Sequence, residues 1–142
     1  ALNTNETKLV AQRQVNGLDP LGQGNIDNLL LNLPKMKMTT TVTHQINDAL
    51  SAMVRINYYG ESWDERGTYG VDKDKIDATM FIDAELSYKV SDNLIVVFGA
   101  NNALNQFPNQ IATRMGQGMP YPRRSPLGYH GGIFFTRLAY NF

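Results

Sequence analysis

The sequence predicts an all-β chain: antiparallel, membrane-spanning strands that form one segment of a larger barrel. Three observations carry this reading. Side chains alternate apolar and polar with a period of two over four runs. The runs approach the roughly 9 to 11 residues that a tilted membrane strand requires. The connections alternate between very short turns and long loops, the arrangement of an outer-membrane barrel.

Taken in order, Ala1 to Lys8 offers a possible first strand, and Leu9 to Leu33 is polar enough to read as a long loop. Met36 to Gln45 sets Met36, Met38, Thr40, Val42 and His44 against Lys37, Thr39, Thr41, Thr43 and Gln45. After the short turn Ile46-Asn47-Asp48, the run from Ala49 to Glu61 places Leu50, Ala52, Val54, Ile56 and Tyr58 opposite Ser51, Met53, Arg55, Asn57 and Tyr59. Pairing Gln45 with Ala49 across that turn would set Val42 against Ala52 and Met38 against Ile56. Ser62 to Ile76 is a second long loop.

From Met80 to Val90 the even positions are again apolar, and the odd ones include Asp83, Glu85, Ser87 and Lys89. Ser91-Asp92-Asn93 turns the chain into Leu94 to Asn101, and pairing Val90 with Leu94 sets Leu86 against Phe98. Arg55 then falls opposite Asp83 or Glu85, so opposite charges meet on the polar face. Asn102 to Gly128 is the third long loop, and Gly132 to Phe142 is the last run. Tyr58, Tyr59 and Trp63 gather at the long-loop end, and Tyr88, Tyr140 and Phe142 at the short-turn end, as two interfacial aromatic belts.

Composition narrows the function. Among 142 residues, 13 Lys and Arg balance 13 Asp and Glu, so nucleic acid is a poor partner. There are no cysteines, which removes disulfides, thiolate zinc sites and Cys nucleophiles together. No apolar stretch approaches the roughly 20 residues of a spanning helix, and the N-terminus has neither the basic nor the apolar region of a signal peptide. His44 and His130 read as interfacial or loop residues. The run Asp72-Lys73-Asp74-Lys75-Ile76-Asp77 lacks the glycine and terminal glutamate of an EF-hand loop. Neither a catalytic set, a metal site nor a cofactor is expected, so the chain reads as a non-enzyme.

Three segments resemble the C-terminal part of a TonB-dependent outer-membrane receptor barrel. They are Leu33-Pro34-Lys35-Met36-Lys37 leading to Val54-Arg55-Ile56-Asn57-Tyr58-Tyr59-Gly60; Leu86 to Leu94 followed by Gly99-Ala100-Asn101-Asn102; and Ser125-Pro126-Leu127-Gly128-Tyr129 leading to Tyr140-Asn141-Phe142. Together they span most of residues 33 to 142. The resemblance implies a 22-stranded barrel filled by an N-terminal plug. It implies uptake of a scarce ligand, such as an iron-siderophore, cobalamin or an oligosaccharide, driven by the TonB complex through that plug.

Only five clear strands and a possible sixth are present, with no plug and no TonB box, whereas the smallest closed barrel has eight strands. Residues 1–142 are thus expected to be the C-terminal part of such a barrel, completed by the same precursor or by a second chain. Under this resemblance Trp63, Tyr69, Arg114, Tyr121, Arg123 and Arg124 are loop candidates for ligand capture, or else they contact lipopolysaccharide. Arg55, Asn57, Asp83, Glu85 and Arg137 face the lumen and plug. Leu138, Tyr140 and Phe142 resemble the signal read by the barrel-assembly machinery, although Arg137 stands where that signal usually has Gly. The competing reading is a soluble all-β carbohydrate-binding module, because a sandwich also alternates apolar and polar positions.

Overall fold

The computed structural model describes residues 1–66, 73–111, 116, 118 and 120–142. Its main feature is a six-stranded antiparallel sheet built from β1 (Leu2–Thr4), β2 (Met36–Gln45), β3 (Leu50–Tyr59), β6 (Thr79–Lys89), β7 (Leu94–Asn101) and β8 (Ile133–Tyr140), in the order β1-β2-β3-β6-β7-β8. A separate hairpin, β4 (Ser62–Glu65) and β5 (Lys73–Ile76), sits in the connection from β3 to β6. One helix, α1 (Gln23–Leu31), precedes β2. The sheet is not closed: β1 and β8 are its two edges.

Every pairing in the sheet joins residues of like parity, as in Val42↔Val54, Val54↔Ala84, Leu86↔Phe98 and Phe98↔Thr136. Because alternate side chains of a strand point to opposite faces, parity alone assigns the two faces of the whole sheet. The even face carries no Asp, Glu, Lys or Arg in any of the six strands. It is open, with Phe134 77%, Leu138 69% and Val42 61% exposed. The odd face carries Lys37, Arg55, Asp83, Glu85, Lys89 and Arg137.

Four sequence expectations need correction. The turn between β2 and β3 is centred one residue later than expected, and Gln45 pairs with Ser51 rather than Ala49. The Asn47 side chain accepts the amides of both Ala49 and Leu50 at 2.9 Å, so Asn47-Asp48-Ala49 closes as a three-residue loop and the register moves by two. Parity survives a shift of two, so the faces are unchanged. The segment expected to be loop from Leu9 to Leu33 contains α1, and that from Ser62 to Ile76 contains the β4–β5 hairpin. The last run ends as a strand at Tyr140, two residues before Phe142.

The second turn is as expected: Val90 and Leu94 face each other across Ser91-Asp92-Asn93, with Leu86↔Phe98 beyond. Arg55↔Asp83 is the register adopted between β3 and β6.

Candidate functional site

On the odd face Arg55 stands opposite Asp83 as expected, and hydrogen bonds fix the individual side chains. Asp83 accepts the Asn57 amide at 2.9 Å and the Asn102 backbone N–H at 2.9 Å. Arg55 instead donates to the Thr41 hydroxyl at 3.3 Å. Asp83 therefore anchors the exit of β7, where Asn102 takes a left-handed conformation with φ 51° and its amide clips Gln106 in both directions. Two strands away, Arg137 reaches Glu85 at 3.2 Å. Between them Gly99 lies under the Phe135 ring, where a Cβ would come within 2.1 Å of the ring. Only glycine leaves room for that ring to lie across β7.

At the long-loop end of this face, Lys37 stands over the Tyr59 ring at 4.9 Å, and Tyr59 stacks on Phe81 at 5.8 Å. Above them opens a cavity of about 550 Å³, lined among others by Asn3, Asn32, Lys37, Tyr59 and Arg124. Its wall combines Lys37, Arg124 and the amides of Asn3, Asn5 and Asn32 with the apolar surfaces of Leu33, Pro34 and Pro126. Close by, Tyr121 stacks between Phe107 at 5.9 Å and Tyr129 at 6.3 Å.

The loops are locked to one another by buried charge. Asp64 is fully buried and accepts both Nε and Nη2 of Arg123 at 3.0 Å, a bidentate pairing. It also has Arg124 Nη1 at 3.6 Å and Arg66 Nε at 3.7 Å, while Arg66 Nε contacts Asp74 at 2.6 Å. The bidentate contact makes the Arg123 guanidinium still harder to deprotonate than usual. Helix α1 joins the same network. Asn28 donates to the Glu65 carbonyl at 2.8 Å and accepts the Glu65 N–H at 3.2 Å and Arg124 Nη1 at 2.6 Å. Lys73 meets Asp27 at 2.8 Å, and that hydrogen bond holds the Asp27 carboxyl below its usual range despite its burial. Charges so buried persist only when mutually compensated.

The sequence candidates thus separate. Arg124 reaches the odd-face cavity, and Arg123 is committed to Asp64. Tyr121 belongs to the aromatic stack, and Trp63 lies against the other side of the rim. Tyr69 and Arg114 lie outside the described residues. Lys37 and Tyr59 were missed because strand position rather than any local motif brings them to the cavity, and Asn32 because it caps α1, which the sequence did not reveal. Asp64, Arg66, Asp74 and Asp27 were missed because their partners are remote in sequence. Among the described residues no group of three or more His, Asp or Glu side chains could hold a metal ion.

No family model matches the sequence, and no curated protein matches it at a significant level. Solved structures do. A mutant of the ferric enterobactin receptor PfeA from Pseudomonas aeruginosa aligns with TM-score 0.57 and 18% identity over 80% of this chain. The siderophore receptor PirA from Acinetobacter baumannii aligns with TM-score 0.60 and 17% identity over 80% of this chain. A second PfeA mutant, in complex with enterobactin, gives TM-score 0.56 at 18% identity over 78%. In each case the chain spans 17% of the receptor's length. The sheet therefore has the fold of part of a siderophore-receptor barrel, open at both edges.

Proposed function

We propose that this chain is the C-terminal barrel segment of a TonB-dependent transporter in a bacterial outer membrane, and that the whole barrel takes up a scarce ligand. The observation that carries the reading is the sorting of side chains by parity. One face of the sheet is free of charge and exposed, and the other bears six charged residues. A soluble carbohydrate-binding module would need a second layer to cover Val42, Phe98, Phe134 and Leu138, whereas bilayer hydrocarbon covers such a face directly. The likeness in fold to PfeA and PirA supports the same reading.

In this reading Arg55, Asn57, Asp83, Glu85 and Arg137 face the lumen and the plug, and through the plug the transporter engages TonB. The cavity at Lys37, Tyr59 and Arg124 forms part of the ligand's path, with Tyr121 and Trp63 on the surrounding rim. β1 and β8 continue into further strands, since unpaired edges in hydrocarbon cost several kcal/mol per group. Leu138 and Tyr140 sit on the exposed even face, and Phe142 packs edge-on to Tyr140 at 5.1 Å. They serve as the assembly signal.

The test is uptake by energised cells carrying the complete transporter, with radioiron-labelled ferric enterobactin, cobalamin and maltodextrin as probes. Uptake of one probe that stops when the proton gradient is collapsed is expected, together with recovery of the chain in the outer-membrane fraction. Recovery in the soluble fraction, or uptake of none of the three, contradicts the proposal.

A further inference from the structure

The even side of the long-loop rim holds a second cavity, separate from the one described above. Its volume is about 410 Å³, and its apolar walls are Leu30 and Leu31 of α1, Leu33, Met36, Tyr58 and Trp63. Met36 and Tyr58 are even-face residues at the ends of β2 and β3, so the cavity is continuous with the uncharged face of the sheet. It is not a closed core: Leu33 remains 59% exposed. Two charged residues border it, Lys35 and Glu61. Glu61 is engaged by Lys75 at 3.2 Å, whereas Lys35 forms no ion pair among the described residues. Lys75 also contacts Asp77 at 3.2 Å, so Lys35 is the bordering charge left without an ion-pair partner among the described residues.

That combination matches one chemistry. An apolar slot running up from a hydrocarbon-facing surface, flanked by Tyr and Trp and ending at a cation, suits an acyl chain with an anionic head. We infer that the cavity seats an acyl chain of a phosphorylated membrane lipid, with Lys35 on the phosphate. This rests on the proposal that the even face meets lipid. Helix α1 then has a role beyond joining strands, because it supplies two of the leucines that make the slot, and Asn28 and Asp27 tie it to the hairpin that supplies Trp63.

Trp63 is the only tryptophan in the chain and serves as the reporter. The complete transporter is reconstituted in vesicles of equimolar phosphatidylcholine and phosphatidylglycerol, with bromine on the acyl chains of one lipid or of the other. Quenching of Trp63 is taken as the difference between the parent and Trp63→Phe. A fluorophore on Val54→Cys reports whether the even face is in lipid at all. The inference predicts roughly fivefold more quenching of Trp63 by brominated phosphatidylglycerol than by brominated phosphatidylcholine, from a single lysine near an anionic headgroup. Lys35→Gln should abolish that preference while the Val54 label stays equally quenched by both.

Equal quenching of Trp63 by the two lipids, with Val54 quenched, overturns the lipid seat and leaves the membrane reading standing. A preference that survives Lys35→Gln overturns the phosphate contact. Absence of quenching at both positions overturns both readings.

Discussion

The sheet and the loops above it solve opposite problems. In the sheet, large apolar side chains are exposed and few groups are buried; in the loops, the fully buried side chains include Asp64, with Glu65 and Asp74 nearly so. A water-soluble domain would reverse both assignments. Under the proposed function the contrast is one of solvents, with hydrocarbon around the strands and water around a cap that is closed by charge pairing. The cap holds together three stretches of chain that share no strand pairing with one another. α1, the β4–β5 hairpin and the segment around Arg123 are joined through Asp27, Asn28, Asp64, Arg66 and their partners.

The sharpest way to break this contrast is to place a charge on the wrong face. Val54→Lys, in the middle of β3 on the even face, should destabilise the reconstituted barrel by up to about 4 kcal/mol, the cost of a cation on the lipid side near the bilayer midplane. Arg55→Lys, one residue away, should change stability little. Denaturant unfolding of both variants in the same bilayer makes the comparison.

The cap is tested next. Asp64→Ala strips Arg123 of its bidentate partner and leaves Arg66 with Asp74, so a loss of about 3 kcal/mol is expected. It should be confined to the loops. Faster amide hydrogen exchange in β4 and α1 with unchanged exchange in β3 and β6 is the expected pattern.

A smaller effect should come from Gly99→Ala. The new Cβ must displace the Phe135 ring, for about 2 kcal/mol, within the range of an overpacked site. Phe135→Leu in the same chain should recover most of it, and the two single variants and the double variant form the cycle that measures this coupling.

The smallest effect is a pH dependence in the cap. The Asp27 carboxyl is held below its usual range by Lys73, so its contribution is fully present above its unfolded pKa of about 4 and is lost as pH falls through the lower folded value. Hydrogen exchange at α1 should thus loosen on acidification below about pH 4, and Asp27→Asn should remove that dependence.

These two regions also differ in how far the sequence revealed them. The strands and both faces of the sheet were legible because a period of two survives even a register error, as the β2–β3 turn shows: Asn47 moved the pairing by two residues, yet Val54 stayed on the face with Val42. α1 was not legible. Its residues Gln23-Gly24-Asn25-Ile26-Asp27-Asn28 are mostly weak helix formers, no side chain caps its first turn, and its contacts with Glu65 and Lys73 lie far along the chain. The cap pairing was hidden for the same reason, since Arg123 and Asp64 are 59 residues apart. Arg123 and Arg124 meet Asp64 and Asn28, which no local pattern announces.

The central claim is that parity separates hydrocarbon from lumen across the whole sheet, and adjacent residues of one strand test it most directly. Spin labels placed singly at Val54 and Arg55, and at Leu86 and Glu85, in the bilayer-reconstituted transporter report collision with dissolved oxygen, which concentrates in lipid, and with a water-soluble nickel chelate. The account predicts high oxygen accessibility at Val54 and Leu86 and low values at Arg55 and Glu85, alternating with each step along the strand. Equal accessibility within each pair, or nickel collision dominating at Val54 and Leu86, would contradict it.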